Sequence, residues 1–147
     1  MSKIAFIFPG QGSQYPGMGK EIAEKYPEAM DIFKKADQRL GYPLSELCFE
    51  GPEDKLKITY YTQPALLTTS IAILKAFTKS GIKPEFTAGH SLGEYSALVC
   101  AEAISFEDAV WLVEKRGQYM ADAVPPGEGT MAAVLGLPEE NGCDTNL

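Results

Sequence analysis

Ser91 stands in Gly89-His90-Ser91-Leu92-Gly93, a G-x-S-x-G pentapeptide. Between a strand and a helix, that pattern makes a sharp turn that lifts the serine oxygen off the sheet and aims backbone N–H groups at the helix start toward developing negative charge. The glycines let backbone segments approach closely. The same pentapeptide also arises by chance in helix-start turns. The chemistry it points to is acyl transfer through an acyl-serine, which needs a base to take the hydroxyl proton. His90 is the single histidine of the sequence. It directly precedes Ser91, so the two side chains leave the strand end on opposite faces. His90 is therefore read as a residue that supports the turn, and Ser91 as a nucleophile without a base in this chain.

Two further features could act with Ser91. The loop Pro9-Gly10-Gln11-Gly12-Ser13-Gln14 is glycine-rich and follows an apolar run. It does not match a dinucleotide fingerprint, because Tyr15 stands where the third glycine belongs. Nor does it lead into a phosphate-binding loop, since Gly19-Lys20 is followed by Glu21. Two readings remain: a tight turn that needs glycine, or a loop that supplies one N–H of an oxyanion hole whose other N–H belongs to Leu92. Arg116 lies in the middle of an apolar stripe of Ala109, Leu112, Val113 and Met120. An inward guanidinium offers a fork that matches a carboxylate. An internal salt bridge, or a side chain that snorkels outward, would explain the same pattern.

Alternating strand and helix signals are needed to place these residues. Residues 3–8 read as a strand covered on both faces, as in a parallel sheet. Residues 18–26 and 28–40 read as helices, with Pro27 ending the first and Gly41 the second. Ala29, Ile32, Phe33, Ala36 and Leu40 form the apolar face of the second. Short helical turns are expected over 43–57. Thr62 or Gln63 would cap the next helix, with Pro64 in its first turn and Leu67, Ile71 and Leu74 on one face. A strand over 86–90 enters the serine turn, and a helix over 91–101 leaves it. Ser105 and Asp108 have capping-box spacing, which predicts a helix from 106 to about 123. Pro125-Pro126-Gly127 marks a boundary, and 130–137 reads as a further strand. The order fits an α/β fold with too few strands for a complete doubly wound sheet.

The 147 residues suit one domain or part of a larger one, and 45% apolar content excludes a disordered chain. A net charge of −7 argues against nucleic-acid binding. Cys48, Cys100 and Cys143 are too few and too widely spaced for a zinc site. With no secretory signal, they read as reduced thiols of a cytoplasmic protein. No run is long enough to span a membrane.

Taken together, Phe8-Pro-Gly-Gln-Gly-Ser-Gln14, Thr62-Gln-Pro-Ala-Leu66, Gly89-His-Ser-Leu-Gly-Glu-Tyr95, Arg116-Gly117 and Met131-Ala-Ala-Val134 resemble the start of the malonyl-CoA:acyl-carrier-protein transacylases. The resemblance implies an α/β-hydrolase-like parallel sheet with a nucleophile elbow, incomplete here. It places the N-terminal part of the acyltransferase subdomain over 1–124 and the truncated start of a small ferredoxin-like subdomain over 125–147. Ser91 would be acylated by malonyl-CoA and then attacked by the phosphopantetheine thiol of acyl carrier protein, in fatty acid biosynthesis. The N–H groups of Gln11 and Leu92 would form the oxyanion hole. Arg116 would grip the free carboxylate, and Gly89, His90 and Gly93 would support the elbow. Malonyl-CoA is then a substrate, with no bound cofactor and no metal. The family's catalytic histidine belongs to a second half that the chain does not include, so the remaining half is a further expected partner, and the chain alone would be weak or inactive. The alternatives are a serine hydrolase of related fold and a non-catalytic fragment that binds CoA or the carrier.

Overall fold

The computed structural model describes residues 3–123. The expected strand over 130–137 and the division at 125 lie outside them. The elements are β1 (Ala5–Phe8), α1 (Lys20–Lys25), α2 (Pro27–Leu40), α3 (Leu44–Glu50), α4 (Glu53–Leu56), α5 (Thr59–Phe77), β2 (Phe86–Gly89), α6 (Gly93–Cys100) and α7 (Phe106–Asp122), with a 3-10 turn over Thr78–Ser80. β1 and β2 pair in parallel, with Ala5 opposite Phe86 and Phe8 opposite Gly89. Parallel strands joined through helices make this an α/β fold, mostly helical, with a small sheet among the described residues.

α5 is the centre of the packing. Residues 62–69 are all buried, as are Ile71 and Ala72. A helix buried around its whole circumference is a core helix rather than an amphipathic surface one. α2 and α7 pack against it. α2 buries Ala29, Ile32, Phe33 and Ala36, as its spacing predicts, and Gly41 ends it in the left-handed conformation at φ 78°. Pro27 does more than stop α1. It opens α2 at the first helical position, where its missing N–H has no role to lose.

α5 begins at Thr59, not at Thr62 or Gln63, and Pro64 sits inside it. Thr62 does not cap. Its hydroxyl donates to the Leu56 carbonyl at 2.6 Å and to the Ile58 carbonyl at 3.1 Å. These bonds tie the first turn of α5 back onto the end of α4. They hold a turn in which proline removes the donor to the Tyr60 carbonyl.

α7 starts as its sequence predicts. Ser105 Oγ accepts from the Asp108 N–H at 3.1 Å. Ser105→Ala should destabilise the fold by about 1 kcal/mol, read as a shift in the urea midpoint at unchanged slope. The inward face of α7 is Phe106, Ala109, Val110, Val113 and Gly117. Leu112, expected on that face, is 42% exposed. The true stripe runs one position off it, and Leu112 lines an open groove with Trp111 and Tyr119, beside Tyr95 and Arg116.

The expectation that β1 is covered on both faces is corrected among the described residues. Phe8 is buried, whereas Ile7 is 78% exposed and Phe86 on β2 is 55% exposed. α6 packs on β1 and β2, and the opposite face of the pair is open. No helix among the described residues is long and apolar enough to cross a membrane.

Candidate active site

The turn at Ser91 is built by close backbone contact. β2 ends at Gly89, and Ser91 adopts φ 51°, a left-handed conformation that a non-glycine residue holds only at a cost of roughly 1–3 kcal/mol. His90 N–H donates to the Phe8 carbonyl at 3.2 Å, and Gly93 N–H to the His90 carbonyl at 2.9 Å. A Cβ on Gly93 would land on the Phe8 carbonyl oxygen and 2.8 Å from that of Pro9. A Cβ on Gly89 would land on the carbonyl of Gly93. The two glycines thus let α6 start directly against β1 and β2, with Ser91 exposed at the apex.

Arg116 reaches this apex from α7. Its Nη2 donates to Ser91 Oγ at 3.1 Å, and its Nη1 donates to Gln63 Oε1 at 2.6 Å. The guanidinium also lies over the Tyr95 ring, 5.8 Å from its centroid. Gln63 is fully buried on α5. Its Nε2 donates to Thr59 Oγ1 at 3.0 Å, and Thr59 Oγ1 donates to Gln11 Oε1 at 3.1 Å. One polar chain therefore runs from Ser91 through Arg116, Gln63 and Thr59 to Gln11, and joins four separate segments of the fold. The alternative of an internal salt bridge is not what the structure contains: no carboxylate pairs with Arg116 among the described residues. A half-buried cation held by neutral partners favours an anion.

Gln63 and Thr59 are site residues that the sequence does not single out. The available signal was a glutamine inside a run, residues 62–69, that buries every side chain. A polar side chain in that setting needs a partner.

Neither the Gln11 N–H nor the Leu92 N–H has an acceptor among the described residues. The loop that carries Gln11 is ordered by its own bonds. Gly12 N–H donates to Gln14 Oε1 at 2.8 Å, and Ser13 Oγ donates to the Gly10 carbonyl at 2.9 Å. A Cβ on Gly10 would stand 2.7 Å from the His90 oxygen and 2.9 Å from His90 Nδ1. His90 thus lies against the loop backbone, and no hydrogen bond joins its ring to Ser91 among the described residues. Cys48 is no rival nucleophile, because burial pushes its thiol up to about 12. No cluster of His, Cys, Asp and Glu among the described residues could hold a metal ion.

The chain can now be set beside known proteins. A family model described as "Acyl transferase domain" matches residues 5–144. A malonyl CoA-acyl carrier protein transacylase of Bacillus subtilis (strain 168) is 63% identical over 140 residues, which are 95% of this chain and 44% of that protein. The crystal structure of an acyl-carrier-protein-S-malonyltransferase from Bartonella henselae aligns at a TM-score of 0.90 and 45% identity, over 95% of this chain and 46% of that one. A malonyl-transacylase solved in complex with a type II PKS acyl-carrier protein aligns at a TM-score of 0.81 and 50% identity, over 84% of this chain and 40% of that one. The chain thus spans less than half the length of each of these relatives. Because that family model spans most of the sequence, the chain belongs to the acyl transferase domain family.

Proposed function

We propose that the chain forms the nucleophile-bearing part of a malonyl-CoA:acyl-carrier-protein transacylase. Ser91 Oγ attacks the thioester carbonyl of malonyl-CoA, the carbon–sulfur bond breaks, and CoA leaves as its thiol. The phosphopantetheine thiol of acyl carrier protein then attacks the acyl-serine, the carbon–oxygen bond breaks, and Ser91 regains its proton. The Gln11 and Leu92 N–H groups stabilise the oxyanion in both steps. Arg116 binds the free carboxylate of the acyl group, and no cofactor takes part. On this reading β1 and β2 belong to an α/β-hydrolase-like sheet, 1–124 to its subdomain, and 125–147 to a ferredoxin-like subdomain. The reactions take place in the cytoplasm.

The observation that carries the reading is the Arg116 bond to Ser91 Oγ at 3.1 Å. A malonyl group on that oxygen ends in a carboxylate within reach of the same guanidinium. Because the hydroxyl accepts from Arg116, its own proton is free to go to a base. His90, the one histidine of the sequence, is not placed to take it.

Two measurements test this. The chain should bind malonyl-CoA about 30-fold more tightly than acetyl-CoA, the value of an ionic hydrogen bond of roughly 2 kcal/mol. Equal affinities would remove the carboxylate grip. In intact-mass spectra, malonyl-CoA should leave little adduct on the chain alone. A rapid adduct on Ser91 would show that the base is present after all. Adduct followed by release of free malonate, without transfer to the carrier, would favour a hydrolase.

A further inference from the structure

We propose that Gly117 is a positioning residue: its missing side chain sets how closely α7 approaches the first turn of α5, and through that distance whether Arg116 can hold Ser91 and Gln63 together. The proposal rests on the reading of Arg116 as the carboxylate grip.

A Cβ on Gly117 would stand 2.5 Å from Tyr60 Cα, 2.9 Å from Tyr60 N and 3.0 Å from the Thr59 carbonyl oxygen. All three are backbone atoms, so no rotamer change at either residue relieves the contact. Carbon atoms pack at about 3.5–4.0 Å, so an added methyl would drive the helices apart by roughly 1 Å. The crowded turn carries Thr59, which binds Gln11, and Gln63 follows on the same helix. Arg116 adjoins Gly117 in the chain. Its two bonds, 2.6 Å to Gln63 and 3.1 Å to Ser91, end on different elements, α5 and the turn before α6. A displaced arginine can follow one partner but not both. Hydrogen bonds weaken sharply past about 3.2 Å, so a shift of this size breaks the fork.

Local helix preference points the other way. Alanine is the strongest helix former and glycine one of the weakest. A purely local role for residue 117 would make Gly117→Ala harmless or stabilising. Loss of the Arg116 geometry is expected only if the close approach matters.

Arg39 and Arg116 are the two arginines of the sequence, so their side-chain signals can be separated by ¹⁵N NMR. In the chain as it stands, the Arg116 Nη groups should give distinct signals, because two bonds restrain the guanidinium. Gly117→Ala should merge them and lower the malonyl-CoA over acetyl-CoA preference at least tenfold. Val113→Ala trims the same face of α7 one turn earlier and serves as the control for simple destabilisation. It should lower the melting temperature and leave both readouts unchanged. If Gly117→Ala does not fold in dilute buffer, both readouts are taken in trimethylamine N-oxide, which favours the compact state, with the unsubstituted chain and Val113→Ala alongside, and the same losses are expected. Unchanged Nη signals and unchanged preference in folded Gly117→Ala would overturn the proposal. If the unsubstituted chain itself shows no malonyl-CoA preference, the reading of Arg116 fails, while the Nη signals still decide the role of Gly117.

Discussion

Arg116→Ala should abolish the preference for malonyl-CoA over acetyl-CoA, a loss of about 30-fold or more. Truncating one member of a desolvated, hydrogen-bonded charge pair costs roughly 2–5 kcal/mol. Arg116 is half-buried, which puts the effect near the lower end. Acetyl-CoA affinity should change little, because an acetyl group has nothing to pair with the cation. Arg116→Lys separates charge from shape. An ammonium keeps the charge but cannot span Gln63 and the ligand with a planar fork, so it should recover only part of the preference. Titration calorimetry with both thioesters checks this. A variant without Arg116 that kept the full preference would move carboxylate recognition elsewhere in the molecule.

Gly93→Ala should also cost a large part of the stability. The new Cβ would occupy the position of the Phe8 carbonyl oxygen and crowd that of Pro9. Both are backbone atoms, so relief requires α6 to leave the strands. The movement would also break the Gly93 N–H bond to His90, which closes the serine turn. Losses above about 4 kcal/mol are rare for single substitutions, and a whole domain is commonly stable by only about 5–15 kcal/mol. Gly93→Ala should therefore be largely unfolded at 25 °C by circular dichroism. Gly41→Ala provides the contrast. Its φ of 78° disfavours alanine, but no atom lies within 4 Å of the new methyl. That change should cost only about 1–2 kcal/mol, the usual left-handed penalty, and leave a cooperative urea transition.

Local chemistry made the ends of several elements legible. Ser105 three residues before Asp108 marks the start of α7, and Gly41 marks the end of α2. The apolar stripe of α2 follows from its period. Thr62, Gln63 and Pro64 misled because their local preference is for a helix start. In the fold they are buried inside α5, where Thr62 bonds two carbonyls of the preceding segment and Gln63 bonds Arg116, which comes 53 residues later. Such partners are tertiary, and no window of sequence contains them. Leu112 failed for a related reason: a hydrophobic residue on a helix marks a face only once the neighbouring helices are placed. The apolar run of β1 carries no sign of which face the described helices cover. Ser91 follows from its pentapeptide, whereas spacing leaves Arg116 and the glycine-rich loop open and only the family resemblance singles out Gln11; the bonds that join Ser91, Arg116 and Gln11 run through Gln63 and Thr59, which spacing does not select.

The pairing of Ala5 with Phe86 also has a kinetic side. It joins residues 81 positions apart, and all of α1 to α5 lies between them. Closing so long a loop is entropically unfavourable until the chain between has collapsed, whereas helices form from local contacts. The serine turn spans the end of that pairing, so this topology predicts that it is ordered late in folding, after α1 to α5 have packed.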